Sequence, residues 1–176
     1  MSFGGAAPKR ALVALIAGLG LSLATWAQSP VVGRLLEGPY PHAIALLDGA
    51  VQLSYARGAD GGLFVSVRAR TQGWVGVGLG AEVMSGATIF MGYLESGKPV
   101  FSEQIGKGHS HAATDATYDR EEVYQADGFT TVEFHLPPDK LPFAGNSVPF
   151  IVAYSDAPDL ATYHEDNHDS GVFLLQ

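Results

Sequence analysis

The sequence predicts an all-β chain, an antiparallel, immunoglobulin-like β-sandwich of about 8–10 short strands. Three observations carry that prediction. Apolar and polar residues alternate over short runs along most of the chain. Clusters of Gly, Pro, Asn and Asp interrupt those runs at short intervals. Beyond the N-terminal segment no stretch has the 3.6-residue apolar period of an amphipathic helix.

The N-terminal segment stands apart from this pattern. Lys9-Arg10 precede an apolar run over 11–23, too short to span a bilayer comfortably. The run ends in Ala24-Thr25-Trp26-Ala27-Gln28, with small residues at the −3 and −1 positions of a cut after Ala27. Residues 1–27 therefore read as a secretory signal peptide, with an uncleaved membrane anchor as the alternative. The expectation is an exported protein, periplasmic or secreted, with no stable membrane span after cleavage. With no Cys at the cut, a lipid-modified cysteine anchor is excluded. Cleavage would leave about 150 residues, enough for one well-buried core. Residues 28–47, with Pro30, Pro39 and Pro41, read as a lead-in, and 48–176 as the sandwich domain.

The strands are expected in the following order. Residues 51–56 alternate, 57–62 (Arg-Gly-Ala-Asp-Gly-Gly) supply a turn, and 63–70 alternate again, giving a hairpin. Residues 74–80 form a strand with glycine at 76, 78 and 80 among Trp74, Val75, Val77 and Leu79. Glycine weakens a strand unless another backbone or a ligand must approach closely, so something large is expected against this one. After a turn carrying Met84, residues 88–94 make the next strand, and this glycine-rich pair is expected in the middle of one sheet. Glu95-Ser96-Gly97-Lys98 turns the chain into a strand over 99–105. Residues 106–120, with His109, His111 and two aspartates, have no periodicity and read as a loop. Residues 122–125 and 129–136 form a further hairpin, with Val132, Phe134 and Leu136 inward. Residues 148–154 are an apolar strand of the kind buried on both faces. Residues 155–170 read as a polar loop with His164 and His168, and 171–175 as the closing strand.

The chain carries a formal net charge of −8, and loss of Lys9 and Arg10 makes the remainder more acidic still. That argues against nucleic acid and anionic lipid as partners. The absence of Cys excludes a Cys-ligated zinc, an iron–sulfur cluster and a covalently attached c-type haem. Any cofactor must be held non-covalently, through His, Met or carboxylates. No nucleophile elbow, phosphate loop or His-Glu-x-x-His helix is present.

Three groups remain that could carry chemistry. Met84 and His164 both sit on loops leaving buried strands, and a thioether and an imidazole across one slot could fill both axial positions of a haem iron. Taken residue by residue, the alternative is a core-filling Met and a solvated His. His109 and His111, one residue apart, point to the same side of an extended segment and could bind copper or zinc, although no third ligand is identifiable. The segment His164-Glu165-Asp166-Asn167-His168-Asp169 could bind calcium through its carboxylates, or stand as a solvated acidic loop. His135 alternates with inward residues and faces outward; His42 carries no readable signal.

Trp74-Val75-Gly76-Val77-Gly78, followed by Met84-Ser85-Gly86-Ala87 and a strand ending in Glu95-Ser96-Gly97-Lys98, resembles the opening half of a DOMON domain. That domain is also the cytochrome module of cellobiose dehydrogenase. Phe150-Ile151-Val152-Ala153-Tyr154, and Tyr163-His164-Glu165-Asp166-Asn167 before Gly171-Val172-Phe173-Leu174-Leu175, are similar to its closing half. The likeness runs from about Asp48 to the C-terminus. It implies a sandwich that binds b-type haem or a sugar-like ligand, and in the haem-binding branch the axial Met and His fall on Met84 and His164. No ligand role carries over to His168.

The first expectation is thus an exported, non-enzymatic cytochrome domain holding haem b non-covalently in a slot between the sheets and passing electrons to an unidentified redox partner protein. Trp74, Val77, Leu79, Ile89, Met91 and Tyr154 are its expected pocket walls, by position. A second is a haem-free module for a sugar or aromatic small molecule, with Trp74, Tyr93 or Tyr154 as stacking faces. A third is a copper- or zinc-binding protein using His109 and His111.

Overall fold

A computed structural model of the protein describes residues 32–36 and 38–176. The expected signal peptide lies outside the described residues. Among the described residues there are eleven strands: β1 (His42–Leu46), β2 (Val51–Arg57), β3 (Leu63–Ala69), β4 (Val75–Leu79), β5 (Thr88–Glu95), β6 (Lys98–Lys107), β7 (Ser110–Ala113), β8 (Glu121–Ala126), β9 (Phe129–Leu136), β10 (Ser147–Tyr154) and β11 (His168–Leu174). They form a five-stranded sheet, β1-β2-β3-β9-β8, and a six-stranded sheet, β11-β10-β4-β5-β6-β7. All pairings are antiparallel. This is the sandwich the alternation predicts, and β4 and β5 lie in the middle of their sheet as expected.

The core follows from the period-2 rule. Leu53, Val65, Val67, Val132 and Phe134 from the first sheet meet Val75, Val77, Leu79, Phe90, Phe150 and Val152 from the second, all nearly or fully buried. Phe90 and Phe134 stack with centroids 4.3 Å apart, joining the two sheets at the centre.

Two strands lie where a lead-in and a loop are expected. β1 falls inside 28–47 and pairs with β2 from His42↔Tyr55 to Leu46↔Val51. Its alternate residues Ala43 and Ala45 are small and exposed, so an edge strand leaves little apolar signal. β7 falls inside 106–120 and pairs with β6, with Gly106 opposite His111. It too is an edge strand, without a single large apolar side chain.

The segment before β1 is fastened to the outer face of the first sheet. The buried Glu133 carboxylate accepts from the Arg34 and Leu35 amides at 2.7 and 3.1 Å and from the Tyr124 hydroxyl at 2.9 Å. The Arg34 guanidinium lies over the Tyr124 ring, 3.7 Å from its centroid. His135 faces outward as expected, but it is half-buried against Phe64 and 3.1 Å from Asp60.

Candidate functional site

On β4 the core-facing residues are Val75, Val77 and Leu79, so Gly76 and Gly78 face the other way. Register places Gly76 between Ala153 of β10 and Met91 of β5, and Gly78 between Ile151 and Ile89. The result is a trough with an apolar floor on the outer face of the six-stranded sheet. A Cβ at Gly78 would come within 2.7 Å of Ile151 Cγ1, and one at Gly76 within 3.0 Å of Met91 Cγ. The trough widens into a cavity of about 610 Å³.

This location corrects the expected slot between the sheets: the interior is filled by side chains and the cavity lies outside it. The same alternation corrects three expected walls. Val77 and Leu79 belong to the central core, and Tyr154 packs against that core rather than the cavity. Trp74, Ile89 and Met91 do line the cavity. Ile151 and Ala153 were not singled out from the sequence. The signal for them was β10 itself: a strand apolar on both sides has one side in the core and the other in a cavity wall.

Met84 and His164 line this one cavity. Met84 is placed by the turn between β4 and β5. Ala87 N–H donates to the Met84 carbonyl at 3.1 Å, and Gly86 N–H reaches across to the Gly106 carbonyl at 3.1 Å. The Met84 backbone lies directly over Gly106, where any Cβ would collide with its carbonyl. His164 is placed by the connection between β10 and β11. Trp74 Nε1–H donates to the Thr162 carbonyl at 3.2 Å. Asp159 accepts from the Ala161 and Thr162 amides at 3.0 and 2.8 Å and from the Thr162 hydroxyl at 2.7 Å. A tight turn follows, closed by Asn167 N–H on the His164 carbonyl at 3.0 Å, with Glu165 at φ 53°. The turn is not helical, so His164 and His168 are not a helical metal pair.

The His164 ring is half-buried, and its Nδ1–H donates to the Glu165 carbonyl at 2.9 Å. That bond fixes the tautomer and leaves the Nε2 lone pair available to a metal. Burial holds the His164 pKa below its ordinary value against the opposing pull of the Glu165 carbonyl, and the neighbouring His168 and His111 lower it further. A neutral imidazole at neutral pH is the form that ligates.

His109, His111, His168 and Asp169 also line the cavity. His111 is on β7, whereas His109 lies in the turn before it and not on an extended segment. His111 Nδ1 hydrogen-bonds to the Gln104 side-chain oxygen, and Gln104 Nε2–H donates to Ser102 Oγ at 3.3 Å. Among the described residues no three His, Asp or Glu side chains converge as a metal-ligand group. At the rim two large apolar side chains are exposed, Val83 at 62% and Tyr163 at 68%, each next to an expected ligand.

No protein-family model matches the chain, and no curated protein matches it. Solved structures do. The cytochrome b domain of pyranose dehydrogenase from Coprinopsis cinerea aligns at a TM-score of 0.55 and 13% identity, over 75% of this chain and 80% of that one. The cytochrome domain of cellobiose dehydrogenase from Myriococcum thermophilum aligns at 0.54 and 11% identity, over 72% and 75%. At such identities the likeness is one of fold, and the fold implied by the DOMON resemblance is the one observed.

Proposed function

We propose that this chain is an exported b-type cytochrome domain that holds haem non-covalently between Met84 and His164 and transfers single electrons to a protein partner. The observation that carries the reading is the meeting of those two side chains, distant in the sequence, in one apolar cavity over a glycine floor. The residues fit the group. A flat macrocycle needs a wall without protruding side chains, which Gly76 and Gly78 supply. It needs an apolar lining, which Trp74, Ile89, Met91, Ile151 and Ala153 supply. Its iron needs a soft ligand and a neutral imidazole with a free nitrogen, which Met84 and His164 offer. Haem would supply a one-electron redox couple. Met84 and His164 would occupy both coordination sites, and the apolar walls would keep water from the metal. Likeness of fold to two cytochrome domains of sugar dehydrogenases, one of them a cytochrome b domain, supports the reading further.

The rival readings lose ground on geometry. Of the stacking faces expected for a sugar module, Trp74 is 3% and Tyr93 8% exposed and Tyr154 lies on the core side, which leaves Tyr163 at the rim as the open aromatic face. A copper or zinc site on His109 and His111 lacks converging partners among the described residues.

The test is the visible spectrum of the purified protein after haem is added. A Soret band with low-spin features is expected, with loss of those features in His164→Ala. A protein that stays colourless through haem titration would overturn the reading.

A further inference from the structure

We propose that His111 is a reserve axial ligand, able to take the place of Met84 opposite His164. This rests on the haem reading above and extends it.

Three observations lead there. The first is position. Gly106 of β6 is the cross-strand partner of His111, and Met84 packs on Gly106, its Cγ 3.2 Å from where a Cβ there would sit. The Met84 side chain and the His111 ring thus occupy adjacent places on the same wall, contributed by different elements. His164 comes to the cavity on a separate loop, beyond Trp74. The second is ring orientation. His111 Nδ1 is engaged by Gln104, whose own amide is oriented by Ser102. With the proton held on Nδ1, Nε2 keeps its lone pair, the same arrangement that the Glu165 carbonyl imposes on His164. A cavity-lining imidazole with one nitrogen tethered by a side chain that is itself tethered is built like a metal ligand. The third is exposure on the other side of the exchange. Met84 sits in a turn among exposed Glu82, Val83, Ser85 and Gly86, whereas His111 is on a strand. Withdrawal of the turn would give up the Gly86 N–H bond to the Gly106 carbonyl but leave the β6–β7 pairing that carries His111 in place.

The exchange is one neutral ligand for another. His111 Nε2 would take the place of the Met84 thioether as the donor to the iron, while the proton on His111 Nδ1 stays on the ring, hydrogen-bonded to the Gln104 side-chain oxygen. No electron or proton is released. Imidazole in place of thioether favours the oxidised metal, so the potential should fall on exchange.

The experiment uses haem-loaded protein. Met84→Ala should remain six-coordinate and low-spin, lose the thioether-to-iron charge-transfer band and shift to a lower midpoint potential. Met84→Ala/His111→Ala should become high-spin. It should also take up added imidazole at a concentration at least tenfold lower than Met84→Ala does. Met84→Ala/His109→Ala should stay low-spin, and Met84→Ala/Gln104→Ala should show a smaller low-spin fraction, because Gln104 acts as a positioning residue. Far-UV circular dichroism of each variant verifies that the sheet is intact. A Met84→Ala protein that is already high-spin and matches the His111 double variant in imidazole uptake would overturn the proposal while leaving the haem reading standing. So would loss of the low-spin state on changing His109 instead. A wild-type protein that takes up no haem would overturn both.

Discussion

Gly78 is flanked in register on the cavity side by Ile151 and Ile89, and a side chain there would crowd Ile151 and Ala87. Gly78→Val should therefore remove the macrocycle's place while costing about 1–3 kcal/mol of fold stability from crowding. The expected result is haem affinity reduced at least tenfold in titration, with an unchanged far-UV spectrum; tight binding by this variant would refute the glycine-floor assignment. The residue scale also shows what alternation can and cannot say. The glycines at 76 and 78 signalled from sequence that something large lay against β4. Choosing Val77 and Leu79 as its walls failed because one strand cannot present valines and glycines to the same side. Away from the site, Glu121 is exposed as a residue, but partial desolvation of its carboxyl raises it above its ordinary value. An acid with a raised folded pKa holds its proton more tightly in the native state. Stability is then greatest below the ordinary carboxylate range and falls as pH rises through that range towards the folded value. Glu121→Gln should melt at a higher temperature than wild type at pH 7, with the gap closing in acid; equal melting curves at pH 7 would count against it.

The connection between β10 and β11 is the element that decides whether His164 is presented at all. It is held by Asp159, by Trp74 Nε1 and by the turn at Glu165, with Leu160 packed against the Trp74 cluster. Asp159→Ala removes three acceptor contacts at an exposed site, so its cost should fall on the loop and not on the sandwich. Faster haem release, by about tenfold in transfer to a haem scavenger, is expected with a global melting temperature of the apo-protein within about 2 °C of wild type. A release rate equal to wild type would show that this turn does not govern the ligand. The sequence identified the loop and its His but not the polar scaffold, because an Asx turn is a matter of backbone geometry. The edge strands β1 and β7 were illegible for a related reason. Only one side of each meets the body, and the residues that do so at β7 are Ser, His and Ala. Glu133 marks the same limit: an acidic residue at an outward position of β9 reads as solvated until the 32–36 segment folds over it.

Over the whole molecule, the cavity and the core are separate constructions on opposite faces of one sheet. The inner face of β4, β5 and β10 is stacked against the first sheet through Phe90, Phe134 and Phe150, and the outer face carries Trp74, Ile89, Met91 and both expected ligands. Had the group sat between the sheets, its removal would leave a void in the core, and ligand variants would also be stability variants. On the outer face the two properties should come apart. In haem-free protein, Met84→Ala/His164→Ala should unfold in urea within about 1 kcal/mol of wild type, since both side chains are half-exposed and their contacts, Met84 on Gly106 and His164 on the Glu165 carbonyl and neighbouring rings, lie at the cavity and not in the core. Phe90→Ala should cost about 3–5 kcal/mol, because it leaves a cavity where three aromatic neighbours, Phe101, Tyr118 and Phe134, now pack. Haem should raise the wild-type unfolding midpoint in proportion to its excess over the dissociation constant, and should raise the double ligand variant's far less. A ligand variant that is as unstable without haem as Phe90→Ala would mean that the cavity supports the fold, and the division of labour between the two faces would fail.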